Sequence, residues 1–199
     1  ASITVHFYEQ PTADAGPATA ADCDLDIQLN AVQSVAGSTG AWSVTVGNAA
    51  DISFSNANLF NAVVSSTDYG TYTLRFTETN GVCSTFDDIV VTFNEQPTAV
   101  IATVGPVSEC DLDVDLMATA FTYAGVTNAP TSTWSYVGPG VVTYNGGDAT
   151  DPDQTGLSVD TYGTYVFTWT ETNGSGACVS TASITVHFYE QPTADAGPA

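Results

Sequence analysis

Apolar and polar residues alternate with a period of two along much of this chain. Cys23, Leu25, Ile27 and Leu29 alternate with Asp24, Asp26 and Gln28, while Thr73 and Arg75 separate Tyr72, Leu74 and Phe76. Successive side chains of a strand point to opposite faces, so this pattern predicts strands with one buried face. Ile89, Val91 and Phe93 continue it, and Asn80-Gly81 between the two runs predicts a hairpin turn. The same arrangement returns with Tyr165, Phe167 and Trp169 followed by Ile184, Val186 and Phe188. Helical periodicity is absent. About seven short strands in roughly 90 residues, separated by turn residues, predict an all-β fold of two antiparallel sheets packed face to face. Its core is expected to include Trp42 and Trp134 on a third strand, with Tyr72 and Tyr165.

The chain repeats itself. Its first 18 residues, ASITVHFYEQPTADAGPA, recur unchanged from Ala182 to Ala199, a period of 181 residues. FYEQPTA at Phe7 and Phe188 has a third copy, FNEQPTA, at Phe93, which divides the period into steps of 86 and 95 residues. Cys23 with Cys110, Trp42 with Trp134, and YGTYTLRFTETNG at Tyr69 with YGTYVFTWTETNG at Tyr162 keep the same order. Two related modules are therefore expected, at residues 11–96 and 97–191. Residues 1–10 read as the last strand of a preceding module and 192–199 as the first strand of a following one. The segment is expected to come from a longer array.

Charge narrows the partners. With 22 acidic residues against one basic residue, Arg75, the formal charge is -21. Such a surface repels nucleic-acid phosphates and lacks the cations that would neutralise them, so no nucleic-acid partner is expected. High net charge often accompanies disorder, yet 43% hydrophobic and 11% aromatic residues supply a core. No run approaches the roughly 18 to 20 apolar residues that cross a bilayer, so no direct membrane insertion is expected. Four cysteines without zinc-site spacing point to disulfides in an oxidising compartment.

Further landmarks carry a resemblance. They are the P-T-A-D-A-G-P opening (Pro11 to Pro17), the cysteine before the second strand, the third-strand tryptophan, the Y-G-T-Y strand and the N-G-x-C turn at Asn80 to Cys83. Asp68 to Tyr72 resembles the D-x-G-x-Y tyrosine corner of immunoglobulin-like domains. Together, across the whole chain, these features resemble the immunoglobulin-like or PKD-like repeats of giant Bacteroidetes surface proteins, including gliding-motility adhesins of the type IX secretion system. The resemblance implies tandem immunoglobulin-like sandwiches in a long extracellular adhesin or filament attached to the bacterial outer membrane. Its partners would be neighbouring repeats and an extracellular surface or glycan. The alternatives are a laterally assembled sheath subunit and a spacer module of a secreted enzyme. Asn173 to Cys178 departs from the pattern with a turn two residues longer, and Asn173-Gly174-Ser175 within it is formally a glycosylation sequon, read here as a turn.

Two disulfide pairings remain open. Cys23 with Cys83 and Cys110 with Cys178 would close each module, each loop contributing about 4 kcal/mol in the chain-entropy model. Those cysteines fall at opposite ends of such a sandwich, however, which favours an inter-module staple of Cys23 with Cys178 and leaves Cys110 for the next period. Asp14, Asp24, Asp26, Asp111, Asp113 and Asp115 read as a solvated acidic face, with calcium binding as the alternative and no other cofactor expected. Catalysis is not expected. The position of His6 and His187 is Thr92 in the first module, so no histidine is common to both modules.

Overall fold

The computed structural model describes residues 1–124, 130–174 and 177–197. Its described residues form strands, turns and two short 3-10 turns, and they divide into two compact units at Glu95/Gln96, with Ala124 grouping with the first. The turn beyond Gly174 and Ser175 of the sequon lie in part outside the described residues.

In the first unit the strands are β1 (Thr19–Asp22), β2 (Asp26–Gln28), β3 (Thr39–Val46), β4 (Ile52–Phe54), β5 (Val63–Ser66), β6 (Gly70–Asn80) and β7 (Cys83–Phe93). One sheet has the order β1-β7-β6-β3 and the other β2-β5-β4. The second unit contains β8 (Val100–Ile101), β9 (Val107–Glu109), β10 (Asp113–Thr119), β11 (Thr131–Val137), β12 (Val142–Thr143), β13 (Asp153–Val159), β14 (Gly163–Asn173) and β15 (Cys178–Phe188). Its sheets are β11-β14-β15-β9 and β12-β13-β10-β8. Both units are immunoglobulin-like sandwiches, in which the opening strand leaves one sheet and joins the other by pairing in parallel with the last strand. The fold class expected from alternation is thus the one observed.

The long terminal hairpin organises each sandwich. β6 and β7 pair in unbroken register from Gly70↔Phe93 to Asn80↔Cys83, and β14 with β15 from Gly163↔Phe188 to Asn173↔Cys178. Their inward faces carry the expected residues: Tyr72, Leu74, Phe76, Ile89, Val91 and Phe93 are buried in one core, and Tyr165, Phe167, Trp169, Ile184, Val186 and Phe188 in the other. Trp42 and Trp134 lie on β3 and β11, the strands paired with β6 and β14, in register with Phe76 and Trp169 and buried against them. The Trp42 amide donates to Ala57 O and the Trp134 amide to Ala149 O, the same anchor in both copies. The tyrosine corner is present too: Tyr165 donates its hydroxyl to Thr161 O at 2.9 Å, and Tyr72 to Asp68 O at 3.5 Å.

Two elements differ from simple alternation. Strand β2 begins only at Asp26, because Asp24 Oδ1 accepts the Asp26 amide and turns the chain there. Residues 1–10 form no strand, although Ala1 to Phe7 repeats the sequence of Ala182 to Phe188 in β15. Phe7 is 94% exposed and Phe188 2% exposed. The difference is the partner strand: β14 supplies a complete ladder to β15, and an isolated strand cannot satisfy its backbone or bury its apolar face.

The two tryptophans should respond unequally to substitution. Trp42 Nε1 donates to Leu59 O at 3.0 Å, whereas among the described residues Trp134 Nε1 has no acceptor. Both Trp→Phe variants lose buried surface, but only Trp42→Phe breaks a hydrogen bond, so it should cost about 1 kcal/mol more. Hydrogen exchange resolved to each unit measures this, and an equal or larger cost at Trp134 would contradict it.

Candidate functional site

The chemistry-bearing residues collect at the two ends of each sandwich. In the first unit β1 runs parallel to β7 and ends on the pair Asp22↔Phe93, so Cys23 follows beside the exit of the last strand. Cys83 sits at the opposite end of β7, opposite Asn80 at the hairpin tip. Ten residues of strand separate these places, about 33 Å at ~3.3 Å per residue, whereas bridged Cα atoms lie within about 7 Å. The second unit repeats the arrangement, with Glu109↔Phe188 preceding Cys110 and Asn173↔Cys178 at the far tip. Neither within-module bridge is formed. Cys83 and Cys110 are free thiols, half-buried and exposed respectively, and Cys23 and Cys178 are disulfide-bonded.

The FxEQPTA segment leading into each module is fastened beside that module's hairpin cysteine. Gln10 Nε2 donates to Ser84 O at 3.1 Å, and its counterpart Gln96 Nε2 donates to Val179 O at 2.8 Å. Three residues on, the Ala13 amide donates to Thr85 Oγ1 and the Ala99 amide to Ser180 Oγ, 2.9 and 3.0 Å. Asn80 Nδ2 also holds Glu9 O at 2.9 Å. On the exit side the Asn94 amide donates to Asp22 O and the Tyr189 amide to Glu109 O, each at 2.9 Å. Sequence reading used EQPTA as a repeat landmark and missed this docking role. The survival of Gln at the same place in every copy was the available signal.

Four of the six carboxylates considered for calcium accept backbone amides. Asp24 Oδ1 and Asp111 Oδ1 accept the amides of Asp26 and Asp113, Asp14 Oδ1 accepts the Gly16 amide, and Asp115 Oδ1 accepts the Gly156 amide. Among the described residues no three His, Cys, Asp or Glu side chains converge as metal ligands would. Repulsion from Asp24 raises the Asp26 carboxyl above its ordinary value, with a smaller contribution from Asp22. The single arginine is neutralised where it stands: Arg75 Nε and Nη2 each donate to Asp88 at 2.8 Å, and its guanidinium lies 3.6 Å over the Phe86 ring. The matching register position of the second unit holds a Thr168–Ser183 hydroxyl pair.

One carboxylate per module lies inside. Glu78 and Glu171 continue the inward series of β6 and β14 and are fully buried. Glu78 accepts from the amides of Ser34 and Val35 at 3.0 and 3.1 Å, from Ser34 Oγ at 2.7 Å and from Ser38 Oγ. Glu171 accepts from the Phe121 amide, Ser132 Oγ and Trp169 Nε1 at 3.1, 2.6 and 2.8 Å. Burial alone pushes the Glu78 carboxyl up, but the Ser38 and Ser34 hydroxyls and the loop amides outweigh it and hold the group below its ordinary value. These residues tie the loop after the second strand to the core. Period-two extension through T-E-T-N places both glutamates inward, so the sequence carried the signal.

The histidine position is structural in both copies. His187 Nδ1 shares a hydrogen bond with Thr164 Oγ1 at 2.9 Å, and Thr92 Oγ1 makes the equivalent contact with Thr71 Oγ1 at 3.2 Å. A groove of about 730 Å³ in the second unit runs between residues 99–106 and β15. Among the described residues that line it, His187 is the one titratable side chain and none is a carboxylate.

No protein-family model matches the sequence, and neither does any curated protein. Among solved structures, extracellular domains 3–5 of Drosophila OTK align with 91% of this chain at 13% identity and a TM-score of 0.54. The match takes in 62% of that structure's own length. Weaker likenesses are titin domains I67–I69, a three-immunoglobulin structure (12% identity, 93% of this chain and 67% of that one, TM-score 0.41), and the fibronectin(III)-like modules of Clostridium thermocellum CbhA (12%, 91% and 95%, 0.39). At 13% identity the likeness to the OTK domains shows the fold alone, that of immunoglobulin-like β-sandwich modules, and nothing narrower.

A depressed Glu78 value fixes a sign. The stability it contributes is fully present above the unfolded glutamate value of about 4.3 and is lost as pH falls through the lower folded value. Glu78→Gln should lower first-unit stability at pH 7 and flatten its decline below about pH 4.3. Thermal melts from neutral to acid pH measure both, and an unchanged acid slope would contradict the assignment.

Proposed function

We propose that this chain is the repeat region of a long extracellular cell-surface adhesin or filament, with a mechanical and adhesive role and no catalytic one. The observation that carries the reading is the 181-residue period built from two sandwiches, each with its own closed core. Modules of this kind can be multiplied without altering their interiors, so reach grows with copy number. The disulfide-bonded state of Cys23 and Cys178 supports an oxidising, extracellular compartment. A formal charge of -21 keeps near-identical neighbours from associating. Trypsin has a single target, Arg75, and it lies mid-strand in an ion pair, which suits exposure to extracellular proteases. The resemblance to Bacteroidetes gliding adhesins supports the narrower reading of attachment to surfaces during movement.

Antibody raised against the folded chain and applied to intact cells tests this. Surface staining together with inhibited attachment is the expected result. Staining with no effect on attachment or movement would overturn the adhesive role, and absence of staining would overturn the cell-surface location.

A further inference from the structure

The free and bonded cysteines occupy the same repeat positions. Cys23 and Cys110 both follow the strand that ends beside the exit of the last strand, and Cys83 and Cys178 both begin that last strand. Chain connectivity relates the two kinds of position. Asp22 O accepts the Asn94 amide beside Cys23, and two residues after Asn94 the Gln96 side chain is fastened to Val179 O beside Cys178. The same path exists at each other end. Gln10 is fastened to Ser84 O beside Cys83, and the Tyr189 amide is held by Glu109 O beside Cys110, two residues before Gln191.

From this repeated geometry we infer that each module's opening cysteine bonds to the hairpin cysteine of the module that follows it. Cys23 pairs with Cys178, Cys110 with the next copy of Cys83, and Cys83 with the opening cysteine of the module before. The inference rests on the reading of the chain as part of an array. Cys83 and Cys110 are then open halves of staples whose partners belong to neighbouring modules. Each bond forms by thiol–disulfide exchange: two thiols lose two protons and two electrons to an oxidant such as glutathione disulfide, which leaves as two molecules of reduced thiol.

Overlapping staples change how the array carries load. Tension enters at Cys23 and leaves at Cys178 without passing through the roughly 155 residues between them, which would otherwise extend by about 54 nm at ~3.5 Å per residue. Only about 26 residues per period, from Cys178 to the next copy of Cys23, then remain free to stretch, ~9 nm. A module can unfold under force and the filament keeps its length.

A chain of two consecutive periods tests the inference. After oxidative refolding with glutathione disulfide, non-reduced peptides from cleavage at acidic residues should contain Cys23 linked to Cys178 and Cys110 linked to the second copy of Cys83. Single-molecule stretching should release about 9 nm between staples before reduction and roughly 60 nm per period after it. Cys110→Ser should abolish the peptide linking Cys110 to the second copy of Cys83 while leaving the Cys23–Cys178 peptide and the ~9 nm oxidised step unchanged. Within-module pairs, or a persistently free Cys110 beside the second copy of Cys83, would overturn it. The bonds are read independently of adhesion, so blocked or unblocked attachment leaves this test unaffected.

Discussion

Everything in each module is hung on one ladder. β6 with β7, and β14 with β15, pair along their whole lengths in unbroken register, and the remaining strands are short. The ladder sets the inward face that buries the aromatic core, gives the opening strand a parallel edge, and places one cysteine at its tip and the other beside its far end. An eleven-residue strand spans about 36 Å at ~3.3 Å per residue, so the terminal hairpin also sets the separation between a module's two ends. That length is why a cysteine at one end cannot serve its own module's other end.

Electrostatics follows a division between surface and interior. Outside, carboxylates far outnumber the single guanidinium, and several of them accept backbone amides, Asp24 and Asp111 within turns and Asp115 from Gly156 on the neighbouring strand. Inside, each module retains one buried glutamate and surrounds it with amides and hydroxyls. A buried charge without such donors would destabilise the core, and with them it fixes a loop that has few apolar anchors of its own. Both modules keep the glutamate while exchanging Arg75–Asp88 for Thr168–Ser183 on the outer face.

Much of this was legible beforehand. Period-two alternation located the hairpin strands, because their inward faces are apolar apart from Glu78 and Glu171. The repeat located both tryptophans and both tyrosine corners. The opening strands β1 and β9 were less visible, since Thr19-Ala20-Ala21-Asp22 and Val107-Ser108-Glu109 lack strong alternation and owe their place to a parallel edge provided by distant residues. Asp24 and Asp111 read as strand positions but cap turns, as a short carboxylate two residues before a free amide does. Gln10 and Gln96 carry no periodic signature as polar side chains in a linker, and only their recurrence in each EQPTA copy marked them. Cysteine pairing required the parallel register, which fixes the two ends and is not carried by spacing alone.

The central claim is that these modules build reach by repetition. Small-angle scattering from chains of one, two and four periods at physiological ionic strength tests it most directly. The account predicts a maximum dimension that rises in proportion to the number of periods. A maximum dimension that grows only as the cube root of chain length, as for a single globule, would contradict it.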